Sequence, residues 1–201
     1  EDGIRDDLVT GVQTCALPIS MFELILGGVR SGKSRYAESR ALQFAADEEG
    51  ELLYIATATA GDDEMERRIV KHQQQRKDTT KNSALEWDLI EEPLYLAKVL
   101  QREARAERTI LVECMTLWLT NLLMAEDEDL LQQEVERLLK TLLNLEGNII
   151  MVSNETGLGV VPMDLLSRKF CDESGRLHQQ LAQLSNRAVM VIAGLPQVLK
   201  S

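Results

Sequence analysis

Apolar positions in this chain gather into five short runs separated by amphipathic or polar stretches. Phe22-Glu23-Leu24-Ile25-Leu26, Leu52-Leu53-Tyr54-Ile55-Ala56, Thr109-Ile110-Leu111-Val112-Glu113, Asn148 to Ser153 and Ala188 to Ala193 each have the length of a strand. They are apolar at odd and even positions alike, as strands covered on both faces are. Between them the period becomes helical. Lys33 to Ala46 reads as one helix, and a charged helix follows from about Asp62, where Asp62 or Asp63 can cap the first turn. Pro93 opens another at its first turn. Asp129 to Leu145 carries Leu131, Val135, Leu138, Leu139, Leu142 and Leu143 on one stripe, suited to packing on a core. Asp164 to Phe170 and Gly175 to Leu184 read as two further helices, and Lys77 to Ala84 as a polar loop. Strands alternating with helices predict an α/β fold, a three-layer sandwich around a mostly parallel central sheet.

No internal repeat or Pro/Gly/Ser linker follows Met21, so residues 21–201 are expected to form a single domain. Residues 1–20 differ: they show neither helical nor strand period, and lack the basic start and apolar run of a signal peptide. Val9 to Ile19 match what one reading frame of a sequencing-library adapter encodes, so a non-native or disordered extension is expected here. A chain begun at Met21 should keep its melting temperature and activity, and a loss of either would make the segment part of the protein.

Composition narrows the function. With 22 Lys plus Arg against 33 Asp plus Glu and a formal net charge of −11, broad binding to nucleic acid or anionic lipid is not expected. No apolar run approaches a membrane span, and three cysteines, Cys15, Cys114 and Cys171, form neither a disulfide scaffold nor a spaced zinc site. A cytoplasmic location is expected.

One motif carries chemistry on its own. Gly27-Gly28-Val29-Arg30-Ser31-Gly32-Lys33-Ser34 fits G-x-x-x-x-G-K-[ST] between a predicted strand and a predicted helix. Glycines let successive N–H groups converge on a phosphate, and the helix adds its positive end. Lys33 would reach the terminal phosphates, and the Ser34 hydroxyl would ligate Mg²⁺. The pattern arises by chance in roughly one per cent of chains this long. It predicts a P-loop NTPase-like sandwich that binds a nucleoside triphosphate such as GTP or ATP. Such a loop also wants an acid at the end of a neighbouring strand to hold the metal, and Glu113 stands there; Glu is longer than the usual Asp.

The two histidines are His72 and His178. Arg68, His72 and Arg76 are four apart and share one face of the charged helix, with Met65 and Ile69 towards the core. Two guanidinium groups disfavour a third positive charge, so the His72 imidazole should be neutral, and a neutral imidazole is a nucleophile. From spacing alone, an exposed charged helix with an incidental histidine fits better.

Read together, the motifs decide between these. GGVRSGKS (27–34), YIATA (54–58), DDEMERRIVKHQQQR (62–76), Trp87 with Glu91, LVECMTLWLTNLL (111–123), VSNETGLGVVP (152–162), SRKFCDESGRLHQ (167–179) and AGLP (193–196) occur in order. The chain thereby resembles the bifunctional adenosylcobinamide kinase / adenosylcobinamide-phosphate guanylyltransferase family of cobalamin biosynthesis. The resemblance implies phosphorylation of the aminopropanol hydroxyl of adenosylcobinamide by a nucleoside triphosphate, then transfer of GMP from GTP through a guanylylated histidine. His72 would be that histidine and Lys33 the second catalytic residue. Gly27 to Ser34, Ala56, Thr57, Ala58, Gln73, Gln74, Gln75, Arg76, Glu91 and Glu113 would line the nucleotide. Segments around Asn121, Asn154-Glu155 and Arg168 to Arg176 would complete the site or hold the corrinoid. A homotrimer, with the nucleotide near a subunit boundary, is implied as well.

Three departures from the family pattern stand out: a long loop between Arg76 and Trp87 without the common proline, His178 where Asn is usual, and Glu113 where Asp is more frequent. His178 reads as a solvent-exposed or helix-packing residue, and Cys114 and Cys171 as small buried ones. A plain small-metabolite kinase would have no use for Arg68, His72 and Arg76 on one face. A regulatory GTPase would carry N-K-x-D, which is absent. A nucleotide-binding protein without catalysis would not need Lys33, Ser34 and His72 intact.

Overall fold

The computed structural model describes residues 21–47, 50–58, 74, 85–125, 127 and 129–201. Strands β1 (Met21–Gly27), β2 (Glu51–Ala56), β3 (Trp87–Glu91), β4 (Arg108–Glu113), β5 (Asn148–Asn154), β6 (Arg187–Ile192) and β7 (Leu195–Lys200) form one sheet in the order β3-β2-β4-β5-β1-β6-β7. All neighbours run parallel except β6 and β7. The described helices are α1 (Lys33–Asp47), α2 (Leu96–Glu103), α3 (Met115–Met124), α4 (Leu130–Leu142) and α5 (Leu165–Leu184).

The continuous apolar runs have their cause in two cores. Even-numbered Phe22, Leu24 and Leu26 of β1 face one side with Ile110 and Val112 of β4 and Met151 of β5, where α2, α3, α4 and α5 supply Leu100, Trp118, Leu138 and Leu181. Odd-numbered Ile25 and Leu111, with Ile150 and Val152, face the other side, covered by Ala37, Ala41 and Ala45 of α1. Small residues let α1 lie close to the sheet. Glu23 breaks the run yet is fully buried. Its carboxylate accepts from Arg40 Nε at 2.9 Å and Arg187 Nε at 3.2 Å, the pairing that a buried charge requires.

Several elements differ from the expectation. β3 and β7 were not expected as strands, and both lie at sheet edges. β3 carries Asp88 and Glu91, and β7 carries Pro196, residues that edge positions accept and central ones reject. β6 stops at Ile192 because Ala193 and Gly194, at φ of 51° and 80°, form the tight turn into β7. Helix α3, apolar nearly all round, has no polar face to reveal its period. The two helices expected over 164–184 are one, which passes through Gly175. Asp164 caps it by accepting the Ser167 N–H at 2.8 Å. Pro93 does not open α2; Glu92 Oε1 accepts the N–H groups of Leu94 (2.9 Å) and Tyr95 (2.8 Å), and the helix starts at Leu96. The charged helix from Asp62 and the loop Lys77 to Ala84 lie outside the described residues, Gln74 excepted.

Gly147 sets the entry to β5. It sits at φ +82°, and a Cβ there would lie 2.2 Å from the Arg105 carbonyl oxygen and 2.6 Å from that of Arg108. Gly147→Ala should therefore cost about 2 kcal/mol or more. Calorimetry should show Tm lower by roughly 4–8 °C; an unchanged Tm would mean the turn can repack.

Candidate active site

The carboxyl ends of β1, β2, β4 and β5 point the same way because these strands are parallel, and the loops leaving them form one edge, the place where open α/β sheets bind ligands. β1 leads directly into the loop Gly27–Ser34 and α1. The loop is tied at three backbone points. Ser31 N–H donates to the Gly28 carbonyl at 3.2 Å, Gly194 N–H donates to the Ser31 carbonyl at 2.7 Å, and Glu155 N–H donates to the Gly27 carbonyl at 3.0 Å. A Cβ on Gly27 would lie 2.5 Å from Ser31 Oγ and 2.7 Å from the Val191 carbonyl oxygen, so only glycine lets the loop pass here. Val29 and Arg30 are exposed at its tip, Arg30 in the left-handed region at φ 56°.

Lys33 is buried, and its Nζ donates to the Gly28 carbonyl at 3.2 Å, folding the ammonium back over the loop. Burial pushes its pKa below the ordinary lysine value, while Glu113 and Cys114 pull the other way. Ser34, one residue on, donates its hydroxyl to Glu113 Oε1. Glu113 was expected at the end of a neighbouring strand, but β5 lies between β4 and β1. The glutamate bridges that extra strand, and Tyr54 of β2 steadies it from the far side, its hydroxyl donating to Oε2 at 3.1 Å. Tyr54 is itself held edge-on against Trp87, ring centroids 6.1 Å apart. A serine hydroxyl and a carboxylate meeting beside a phosphate loop are hard oxygen donors. With phosphate oxygens and water they make the donor set that Mg²⁺ takes.

The other expected nucleotide residues fall in two groups. Ala56 ends β2, Thr57 and Ala58 follow it, and Glu91 ends β3 in register with Ala56, exposed on the same edge. Thr57 is fully buried, and its hydroxyl is engaged with one backbone unit: it donates to the Cys114 carbonyl at 2.8 Å and accepts the Cys114 N–H at 2.9 Å. Its side chain therefore clamps β2 to β4. Asn121 Nδ2 donates to the carbonyls of Thr57 (2.8 Å) and Pro93 (3.2 Å), which fastens the loops after β2 and β3 to α3. Of the histidine helix only Gln74 is described, exposed and helical. Arg68, His72, Gln73, Gln75 and Arg76 lie outside the described residues.

Cys114 is buried, with Sγ 3.0 Å from Thr116 Oγ1, and burial pushes its thiol above the ordinary value, which leaves it a packing residue. Cys171 is only half-buried. His178 is not solvent-exposed as one reading had it: 7% of its surface is accessible. Its Nε2 lies 2.7 Å from Ser153 Oγ and its Nδ1 3.4 Å from Glu155 Oε2. Nothing in the sequence marks this contact, since the partners are 25 and 23 residues away and no motif spacing joins them.

Residues 23–199 match the family model described as cobinamide kinase / cobinamide phosphate guanyltransferase. The chain belongs to this family. The bifunctional adenosylcobalamin biosynthesis protein CobP of Pseudomonas aeruginosa is 52% identical over 180 residues, covering 90% of this chain and 98% of that protein. The bifunctional adenosylcobalamin biosynthesis protein CobU of Escherichia coli is 32% identical over 188 residues, covering 87% and 97%. Among solved structures, the flagellar accessory protein FlaH of Methanocaldococcus jannaschii superposes loosely, with a TM-score of 0.48 at 16% identity over 92% of this chain and 80% of that one. Within the cobinamide kinase / guanyltransferase family, the phosphate loop, the Glu113 edge and the VSNETG segment (152–157) of this chain all fall inside the matched residues. Among the described residues no helix is long and apolar enough to cross a membrane.

Proposed function

We propose that this chain phosphorylates the aminopropanol hydroxyl of adenosylcobinamide with ATP or GTP, and then transfers GMP from GTP to the new phosphate to give adenosylcobinamide-GDP. The observation that carries the reading is a phosphate loop with Lys33 and the Ser34–Glu113 pair on one sheet edge, in a chain matched to this family over nearly all of residues 21–201. In the first reaction the substrate oxygen bonds to the γ-phosphorus, its proton leaves, and the bond to the β-bridging oxygen breaks. Lys33 and the loop amides hold the phosphates in line. Ser34 and Glu113 would hold Mg²⁺, whose charge offsets that of the β- and γ-oxygens when bound.

In the second reaction an imidazole nitrogen of His72 bonds to the α-phosphorus of GTP and pyrophosphate leaves. An oxygen of the corrinoid phosphate then displaces His72. Two steps through a neutral nitrogen replace a direct meeting of two anionic phosphates. Gln73 to Arg76, Ala56 to Ala58 and Glu91 are proposed to line this nucleotide. Residues 21–201 would act as one domain, in a cytoplasmic homotrimer that takes a corrinoid and no nucleic acid.

The test is to incubate the protein with α-labelled GTP and Mg²⁺, denature it, and follow label and corrinoid products. Label that survives denaturation and is lost in acid, with adenosylcobinamide-GDP formed on adding the phosphorylated corrinoid, is the expected result. Corrinoid phosphorylation without covalent label would leave a plain kinase.

A further inference from the structure

Ser153, His178 and Glu155 lie in the order hydroxyl, imidazole, carboxylate. A hydrolytic triad has the same order, but Ser153 sits inside β5 in register with Leu26 and has no exposed surface, so it cannot meet a substrate. The contacts therefore hold structure in place. A carboxylate at Nδ1 can only accept, so Nδ1 carries the proton and Nε2 accepts from the Ser153 hydroxyl. Burial pushes the His178 pKa down, with Glu155 opposing, which agrees with that neutral tautomer.

The carboxylate that His178 holds is not isolated from the active edge. Glu155 Oε1 accepts the Gly157 N–H at 2.6 Å, and the Glu155 backbone N–H is one of the three ties on the phosphate loop, at the Gly27 carbonyl. α5 thus reaches the loop through one side chain and one peptide group. We propose that His178 is a positioning residue for the phosphate loop, acting through Glu155 to hold the Gly27 end of the loop in its phosphate-binding shape. The inference rests on the nucleotide-binding part of the proposed function.

The experiment measures GTP and guanosine affinity by displacement of a fluorescent guanine nucleotide. Guanosine has no phosphates, so general damage to the fold weakens both ligands while a slack phosphate loop weakens GTP alone. For His178→Ala we expect GTP to bind about ten-fold more weakly with guanosine unchanged, the equivalent of one good hydrogen bond. His178→Asn, whose amide can keep one of the two contacts, should recover to within about three-fold. In a Glu155→Ala background, His178→Ala should add nothing further, since its route to the loop is gone.

Equal loss for GTP and guanosine, no loss for either, or full additivity with Glu155→Ala would each overturn the proposal. Should His178→Ala not fold, Glu155→Gln carries the test. It keeps the volume but replaces one accepting oxygen by an NH₂ donor, so either His178 Nδ1–H or Gly157 N–H loses its acceptor. It should lose GTP selectively, and unchanged GTP affinity would overturn the proposal. Wild-type protein that bound no nucleotide would instead overturn the proposed function itself.

Discussion

His72→Ala should abolish the covalent GMP label and lower guanylyl transfer by about 10⁴-fold or more, the scale on which a lost nucleophile acts. Phosphorylation of the corrinoid should change by less than about two-fold, because the proposed γ-phosphoryl transfer needs no covalent step on the protein. The measurement is the denaturing gel beside a product assay for each reaction. The split between them is the informative part. A variant that lost both activities would place His72 in the binding of nucleotide, and one that kept the label would put the guanylyl group on another residue.

Lys33→Met should have the opposite signature, lowering both reactions. The described residues contain one phosphate loop, and each reaction begins with a triphosphate. Methionine keeps the length of the side chain and removes the charge proposed to meet the phosphates. Phosphorylation should fall by about 10²–10³-fold, as for other removed transition-state contacts, and GTP labelling should fall with it. The wild-type protein should show the same dependence on pH. An ordinary lysine stays charged to about pH 10, and burial lowers the Lys33 value. Nucleotide affinity should thus be highest while Lys33 is protonated. It should decline as pH rises through a midpoint below that of an ordinary lysine, and this limb should vanish in Lys33→Met. Label formed normally by Lys33→Met would mean that GTP for the second reaction sits elsewhere.

The site was legible in proportion to how local its chemistry is. Gly27 to Ser34 could be read because amides, ammonium and hydroxyl must follow one another within eight residues to surround a phosphate. The acid Glu113 could be placed at a strand end, but not its distance from the loop. A β5 that pairs with both β1 and β4 comes from a segment 35 residues after Glu113, and nothing near Glu113 announces it. Tyr54 and Thr57 lay inside the YIATA stretch (54–58), of which Ala56, Thr57 and Ala58 were read as nucleotide-lining. The fold spends both hydroxyls on Glu113 and Cys114, which makes them the frame behind the nucleotide edge.

The α/β class, the two-faced strands and the phosphate loop were determined by the sequence alone. Burial on both faces demands largely apolar runs, broken in β1 only by the ion-paired Glu23, and phosphate binding demands closely spaced glycines. Edge strands β3 and β7 escaped because an edge tolerates Asp88, Glu91 and Pro196, so the usual pattern need not appear. The mostly apolar α3 escaped because a helix buried on most sides loses its periodicity. Only the tertiary structure decided that His178 meets Ser153 and Glu155, and that Glu155 ties the phosphate loop. Those contacts join residues far apart in the chain, and they exist only once β5 and α5 have packed together.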